Sequence, residues 1–172
     1  MAATTEFSDG IVRLERDADS VARIVLNDPG RRNALSVAMT DGIEAALDDL
    51  EGGETRCVVV EGEGPAFCAG GDIDTMLERQ ESDEPVDHAV RHVIHEIGRC
   101  VKRVYECEFP TVAKIDGAAF GAGANLAIAC DVTALHEDTQ TGLGFREVGL
   151  AVDSGTPYLL PRLVGPNVAQ EL

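Results

Sequence analysis

The chain has 172 residues, one domain's worth, of which 44% are hydrophobic, and it sets 31 acidic against 14 basic residues for a net charge of −17; that length can bury a sizeable core. Acidic residues run from Glu6 to Glu171 and only Lys102 and Lys114 are lysines, a solvated surface suited to high salt, where screening removes its self-repulsion. Such a charge excludes nucleic acid as a partner, since that binding needs a basic footprint, and argues equally against anionic membranes.

In chain order, Gly10–Arg16 and Val21–Leu26 are rich in Ile and Val and are joined by the turn-like Asp17–Ser20, which predicts a hairpin. Asn27–Arg32 (NDPGRR) is a loop, and Ser36 caps a helix whose apolar residues Met39, Ile43, Ala46, Leu47 and Leu50 fall at helical spacing before Gly52–Gly53 ends it. Arg56–Glu61 reads as a short buried strand, Gly62–Asp72 as a glycine-rich loop and Asp74–Asp87 as an acidic, mobile segment. From Pro85 to about Cys107, Val86, Val90, Val93, Ile97, Val101 and Val104 mark one side of a long helix. Thr111–Ile115 is a further strand, a helix follows from about Ala122, and Val132–Leu135 is expected as a core strand. Gly149–Leu172 reads as a loop and then a helix broken by Pro161 and Pro166. Strands alternating with helices give an α/β protein of one domain, 1–172, with no internal repeat in the sequence.

The N-terminal MAATTEFSDG lacks the basic and then apolar pattern of a secretory leader. Cysteines 57, 68, 100, 107 and 130 are odd in number and form no CxxC pair, which fits a reduced cytoplasm.

Residues 117–130, GAAFGAGANLAIAC, hold no charged side chain in a chain that otherwise carries one about every fourth residue. The run is too short to span a bilayer, which takes about 20 residues. A phosphate loop wants Lys-Ser/Thr after its last glycine and finds Ala124–Asn125; a dinucleotide fingerprint finds Leu126 at its sixth position. Two readings remain open, a buried helix with glycines for close packing and a site built from backbone N–H groups. FCAGGDI (Phe67–Ile73) bears on the choice, because it too follows a short strand and carries paired glycines. Two such turns can aim two N–H groups at one point, with no side chain larger than methyl in the way, and a helix start near Ala122 adds its positive dipole end. A developing oxyanion requires such preorganised donors.

Four stretches, NDPGRRNALS (27–36), GPAFCAGGDI (64–73), PTVAKIDGAAFGAGANLAIACD (110–131) and VGLAVDSGTPYLLPRLVG (148–165), resemble, in order, the marks of the crotonase (enoyl-CoA hydratase/isomerase) superfamily over essentially the whole chain. The resemblance implies a spiral of repeated ββα turns, with the C-terminal helical part missing or truncated after PNVAQEL. It implies an acyl-CoA thioester as substrate with no separate cofactor and no metal, and a homotrimer or hexamer where the C-terminal helices are present. On the same ground the N–H groups of Gly71 and Ala122 hold the thioester oxygen as it becomes an enolate. Backbone around Arg32–Ala34 and Ala69–Ile73 (Arg32, Ala34, Ala69, Gly70, Asp72, Ile73) cradles the CoA part, with Asn125 also at the substrate.

The chain departs from the family's hydratases where their two catalytic glutamates are expected, carrying Asn125 and Phe145 instead, with Glu147 two positions from the second. Hydration needs water activated and carbon protonated, work that two carboxylates normally divide. Asp153, in GLAVDSGT, matches an aspartate of dienoyl-CoA isomerases and of the ring-epoxyphenylacetyl-CoA isomerase branch, which the set Asn125, Phe145, Asp153 resembles most. One carboxylate suffices to move a proton between carbons, so the resemblance implies an isomerase; a hydratase using Glu147 and a non-catalytic acyl-CoA binder are the alternatives. Flanking Leu150, Ala151 and Val152 would desolvate Asp153 and raise its pKa; as the alternative, Asp before Ser-Gly-Thr is a common helix cap. His88, His92 and His95 stand at i, i+4 and i+7, either a zinc-binding face or a solvated one. Cys68 lacks a histidine nearby in sequence and reads as a small buried residue. Arg31 and Arg32 serve either loop solubility or the CoA phosphates.

Overall fold

The structure, a computed structural model, describes residues 3–50, 54–73, 86–146 and 149–172, with backbone alone for 86–90 and 92. In chain order it runs β1 (Ala3–Phe7), β2 (Val12–Arg16), β3 (Val21–Leu26), a 3-10 turn (Pro29–Arg31), α1 (Val37–Asp49), β4 (Cys57–Gly62) and β5 (Ala66–Cys68). There follow α2 (Val86–Tyr105), β6 (Thr111–Ile115), β7 (Ala118–Phe120), α3 (Ala122–Ile128), β8 (Val132–Leu135), β9 (Gln140–Gly142), α4 (Thr156–Val164) and α5 (Pro166–Glu171). Strands β1, β2 and β3 form an antiparallel meander, to which β4, β6 and β8 add in parallel. Strands β5, β7 and β9 make a second, parallel sheet. Each parallel strand of the large sheet is thus followed by a short strand of the small one, and helices α2 and α3 lead from one such pair to the next. This is the repeated ββα turn that the resemblance implies.

Period-two alternation explains the core. Val12, Leu14, Ala22, Ile24, Val58, Val60, Ala113 and Ile115 are buried, while the residues between them are less so. Parallel register sets Ala22 beside Val58 and Ile24 beside Val60. Over this face lies α1, capped as expected by the Ser36 Oγ, which accepts from Met39 N at 3.2 Å. Met39, Ile43, Ala46 and Leu47 of α1 join Val93, Ile97, Val101 and Val104 of α2 in one apolar cluster.

Two expectations need correction. Strand β8, expected in the core, has all four residues exposed, because it is the edge of the large sheet. Helix α4 runs through Pro161 instead of breaking there. In so short a helix the missing N–H forfeits only a bond to the first turn, and the break falls at Gly165 (φ 82°), just before α5. The mobility expected of Asp74–Asp87 falls almost wholly outside the described residues.

Glycine sets the spacing between the sheets and α3. A Cβ on Gly123 would lie 2.3 Å from the Cys68 carbonyl oxygen, so α3 packs directly on the β5 backbone. Gly123→Ala is therefore expected to cost about 1–3 kcal/mol, the usual range for overpacking. Thermal unfolding should show the midpoint lowered by roughly 2–12 °C; an unchanged midpoint would mean that helix and strand separate freely.

Candidate active site

The first and second glycine-containing loops are stapled by a buried amide. Asn33, in the left-handed region at φ 55°, has no exposed surface. Its Oδ1 accepts from Asp28 N at 2.8 Å, and its Nδ2 donates to Glu63 O at 3.0 Å and to Ala66 O at 2.8 Å. Backbone bonds continue the seam: Ala69 N donates to Arg32 O at 3.0 Å and Leu35 N to Gly70 O at 2.7 Å. Arg31 closes it from outside with a 2.9 Å ion pair to the buried Asp72. Sequence reading passed over Asn33, although an asparagine after Gly-Arg-Arg is one of the few residues that tolerates this backbone.

Gly70 brings the second loop against the third. Its φ is +100°, and a Cβ there would meet Phe120 O at 2.7 Å and Ala122 N at 3.4 Å, so no other residue fits without parting the loops. Gly71 forms an isolated parallel bridge with Leu35, a ladder in which the bonds go to the residues flanking Gly71 and leave its own N–H turned away. Ala122 is the first residue of α3, whose N–H has no intrahelical acceptor. Among the described residues neither N–H has a backbone acceptor. Both residues line one cavity of about 400 Å³, within the range of small-molecule sites.

The cavity wall is apolar, formed by Ile73, Ile94, Ile97, Phe120, Leu143, Phe145 and Leu150 beside the glycines. Asp153 is the one ionisable side chain among its described lining residues. Burial pushes its carboxyl above the ordinary value, and the Ser154 hydroxyl, donating at 2.7 Å, opposes the shift. The carboxylate does not cap α4: Gly155 holds the cap position, with no side-chain hydrogen bond. Asp153 meets α4 through its backbone instead, its carbonyl accepting from Thr156 N at 3.0 Å.

Of the residues expected at the site, Gly71, Ala122, Asp153, Ala69, Gly70 and Ile73 come together around the cavity. Arg32, Ala34 and Asp72 lie in the stapled loops beside it and do not line it. Asn125 stands apart from the expectation: it is fully buried and absent from the cavity wall. Its amide bonds the Asp153 carbonyl and the Thr156 hydroxyl. Cys68 is buried and its thiol pushed up to about 12 by desolvation, which agrees with a packing role. Glu147 and the side chains of His88 and His92 lie outside the described residues, while His95 is exposed. All five cysteines are free thiols, and no described helix is long and apolar enough to cross a membrane.

Two interleaved sheets in ββα turns, with paired glycine loops facing one apolar cavity, define a crotonase-type fold. Residues 16–172 match the family described as enoyl-CoA hydratase/isomerase, and the chain belongs to that family. A Mycobacterium tuberculosis protein named as a probable enoyl-CoA hydratase is 36% identical over 151 residues, which are 87% of this chain and 57% of that protein. Among solved structures, an enoyl-CoA hydratase/isomerase from Xanthobacter autotrophicus superposes with a TM-score of 0.83 at 34% identity, covering 94% of this chain and 58% of the other. An enoyl-CoA hydratase from Bacillus anthracis superposes with a TM-score of 0.85 at 31% identity, covering 94% and 61%. The chain thus spans a little under two thirds of the length of these relatives.

Proposed function

We propose that the protein is an acyl-CoA isomerase in which the N–H groups of Gly71 and Ala122 stabilise a thioester enolate and Asp153 carries the proton. The observation that carries this reading is that Asp153 is the one ionisable side chain among the described residues lining an apolar cavity that Gly71 and Ala122 also line. An enolisable thioester seated with its oxygen at the two donors loses a proton from one carbon to the Asp153 carboxylate. The resulting enolate oxygen gains most from fixed donors in a site with little water. Return of the proton to another carbon moves the double bond and restores the carboxylate, so no second acid or base is consumed. Coenzyme A enters and leaves as part of the substrate.

The names of the relatives include hydratase, and the positions of its two glutamates separate that activity from isomerisation. Here Asn125 and Phe145 are both buried and neither is ionisable. We therefore expect crotonyl-CoA hydration to be negligible beside double-bond migration in a 3-enoyl-CoA, each followed by the change in thioester absorbance. A hydration rate in the usual enzymatic range, about 10 per second, would overturn the isomerase assignment in favour of a hydratase drawing on another carboxylate.

A further inference from the structure

Helix α3 brings two residues to the site: Ala122, its first residue, which lines the cavity, and Asn125 one turn later, which is buried and bonded to the Asp153 carbonyl. We propose that Asn125 is a positioning residue, a buried amide that locks the segment carrying Asp153 onto the helix carrying Ala122 and so fixes base and oxyanion donor relative to each other. The inference rests on the isomerase reading above.

The amide is used at both ends. Its Nδ2 donates to the Asp153 carbonyl at 3.2 Å, and its Oδ1 accepts from the Thr156 hydroxyl. The Thr156 contact is interior, since Asn125 and Thr156 are 0% and 1% exposed, while the contact to half-buried Asp153 is part-buried. The backbone of Asn125 is itself fixed, its N–H bonded to Gly121 O at 3.1 Å and its carbonyl accepting from Ala129 N at 3.0 Å. Asn125 therefore cannot shift without moving α3.

The conformation beyond Asp153 gives a second, independent reason for a clamp. Ser154 and Gly155 are both left-handed, at φ 49° and 88°. A serine there persists only where its surroundings over-determine it. Thr156 N and Asn125 Nδ2 converge on the one Asp153 carbonyl and hold both flanks of that turn. The chemistry selects an amide: the position needs a donor and an acceptor on one short side chain, and a carboxylate would supply only acceptors at neutral pH. Around the Asp153 carboxylate itself the described neighbours are the Ser154 hydroxyl and the apolar cavity wall, and among the described residues no other ionisable group lines the cavity.

The test uses the whole chain with 3-hexenoyl-CoA and follows hydrogen exchange in heavy water. It also follows Asp153 ionisation by the carbon-13 shift of its carboxyl. Asn125→Leu should lower exchange about 10- to 100-fold, the effect of misplacing a reacting group by an ångström or so, with little change in KM. The Asp153 titration should move down toward an ordinary carboxylate as the loosened segment admits water. In an Asp153→Asn background, Asn125→Leu should cause no further loss. Losses that multiply in the double variant, or an Asp153 titration unmoved in folded Asn125→Leu, would overturn the proposal. Thr156→Val removes a single hydroxyl and carries the same comparisons if Asn125→Leu does not fold. Full exchange by Asp153→Asn alone would instead refute the isomerase reading, and the titration would still decide whether the clamp exists.

Discussion

Asp153→Asn is expected to lower isomerisation by roughly 10²–10⁴, the usual worth of a general base, while leaving acyl-CoA affinity nearly unchanged. The substitution keeps shape and removes the proton acceptor. Wild-type turnover should rise with pH through one ionisation lying above the ordinary carboxylate range, because burial raises it, and the variant should lack that rise. Stability supplies an independent check with a definite sign. A carboxylate whose pKa is raised on folding binds its proton more tightly in the native state. Its contribution favours the fold below the unfolded pKa and is lost as pH rises through the folded one. At neutral pH the ionised Asp153 therefore weighs against folding, and Asp153→Asn should melt at a temperature no lower than wild type while being nearly inactive. A variant that still exchanges substrate hydrogens at the wild-type rate would remove Asp153 from the chemistry.

Ala122→Pro is expected to cost about 10²–10³ in turnover, the loss seen when one donor of an oxyanion hole is removed. The position suits the test because Ala122 is the first residue of α3, where proline's fixed φ is compatible with a helix and no intrahelical bond is given up. The fold should therefore persist, which circular dichroism and the melting profile would verify. A folded Ala122→Pro protein with unchanged turnover would show that the thioester oxygen sits elsewhere. Neither this substitution nor Asp153→Asn touches the other's residue, so with both folded the two losses report separately on donor and base.

The large sheet was legible where burial imposes a pattern. The valine run of RCVVVE and the Ile and Val of the hairpin mark strands, while the buried face, Val58 and Val60 with Val12 and Leu14, emerges only from the structure. Strand β1 gave no such signal: its residues are exposed or half-buried, and pairing with β2 alone makes it a strand. The three-residue strands β5, β7 and β9 were invisible for a different reason. Three residues, AFC, AAF and QTG, are too few to display a period-two pattern, and only the neighbouring backbone fixes them. Of the candidate site, the glycine loops are readable because their spacing is local, and Asp153 through the family resemblance of GLAVDSGT. The expectation of Asn125 at the substrate comes from the resemblance alone, and its bonds to Asp153 and Thr156, twenty-eight and thirty-one residues on, are not visible in the sequence. Asn33 was missed because its three partners lie five to thirty-three residues away.

That asparagine has a thermodynamic consequence. A loop that must organise around its ligand charges the ordering to the affinity, roughly 0.5–1.5 kcal/mol for each flexible side chain immobilised. The segments at 27–36 and 64–73 are joined by the Asn33 amide, two backbone bonds and a bridge before any ligand arrives. Under the acyl-CoA reading, a nucleotide tail laid along them meets a surface already set, and little conformational entropy is left to lose.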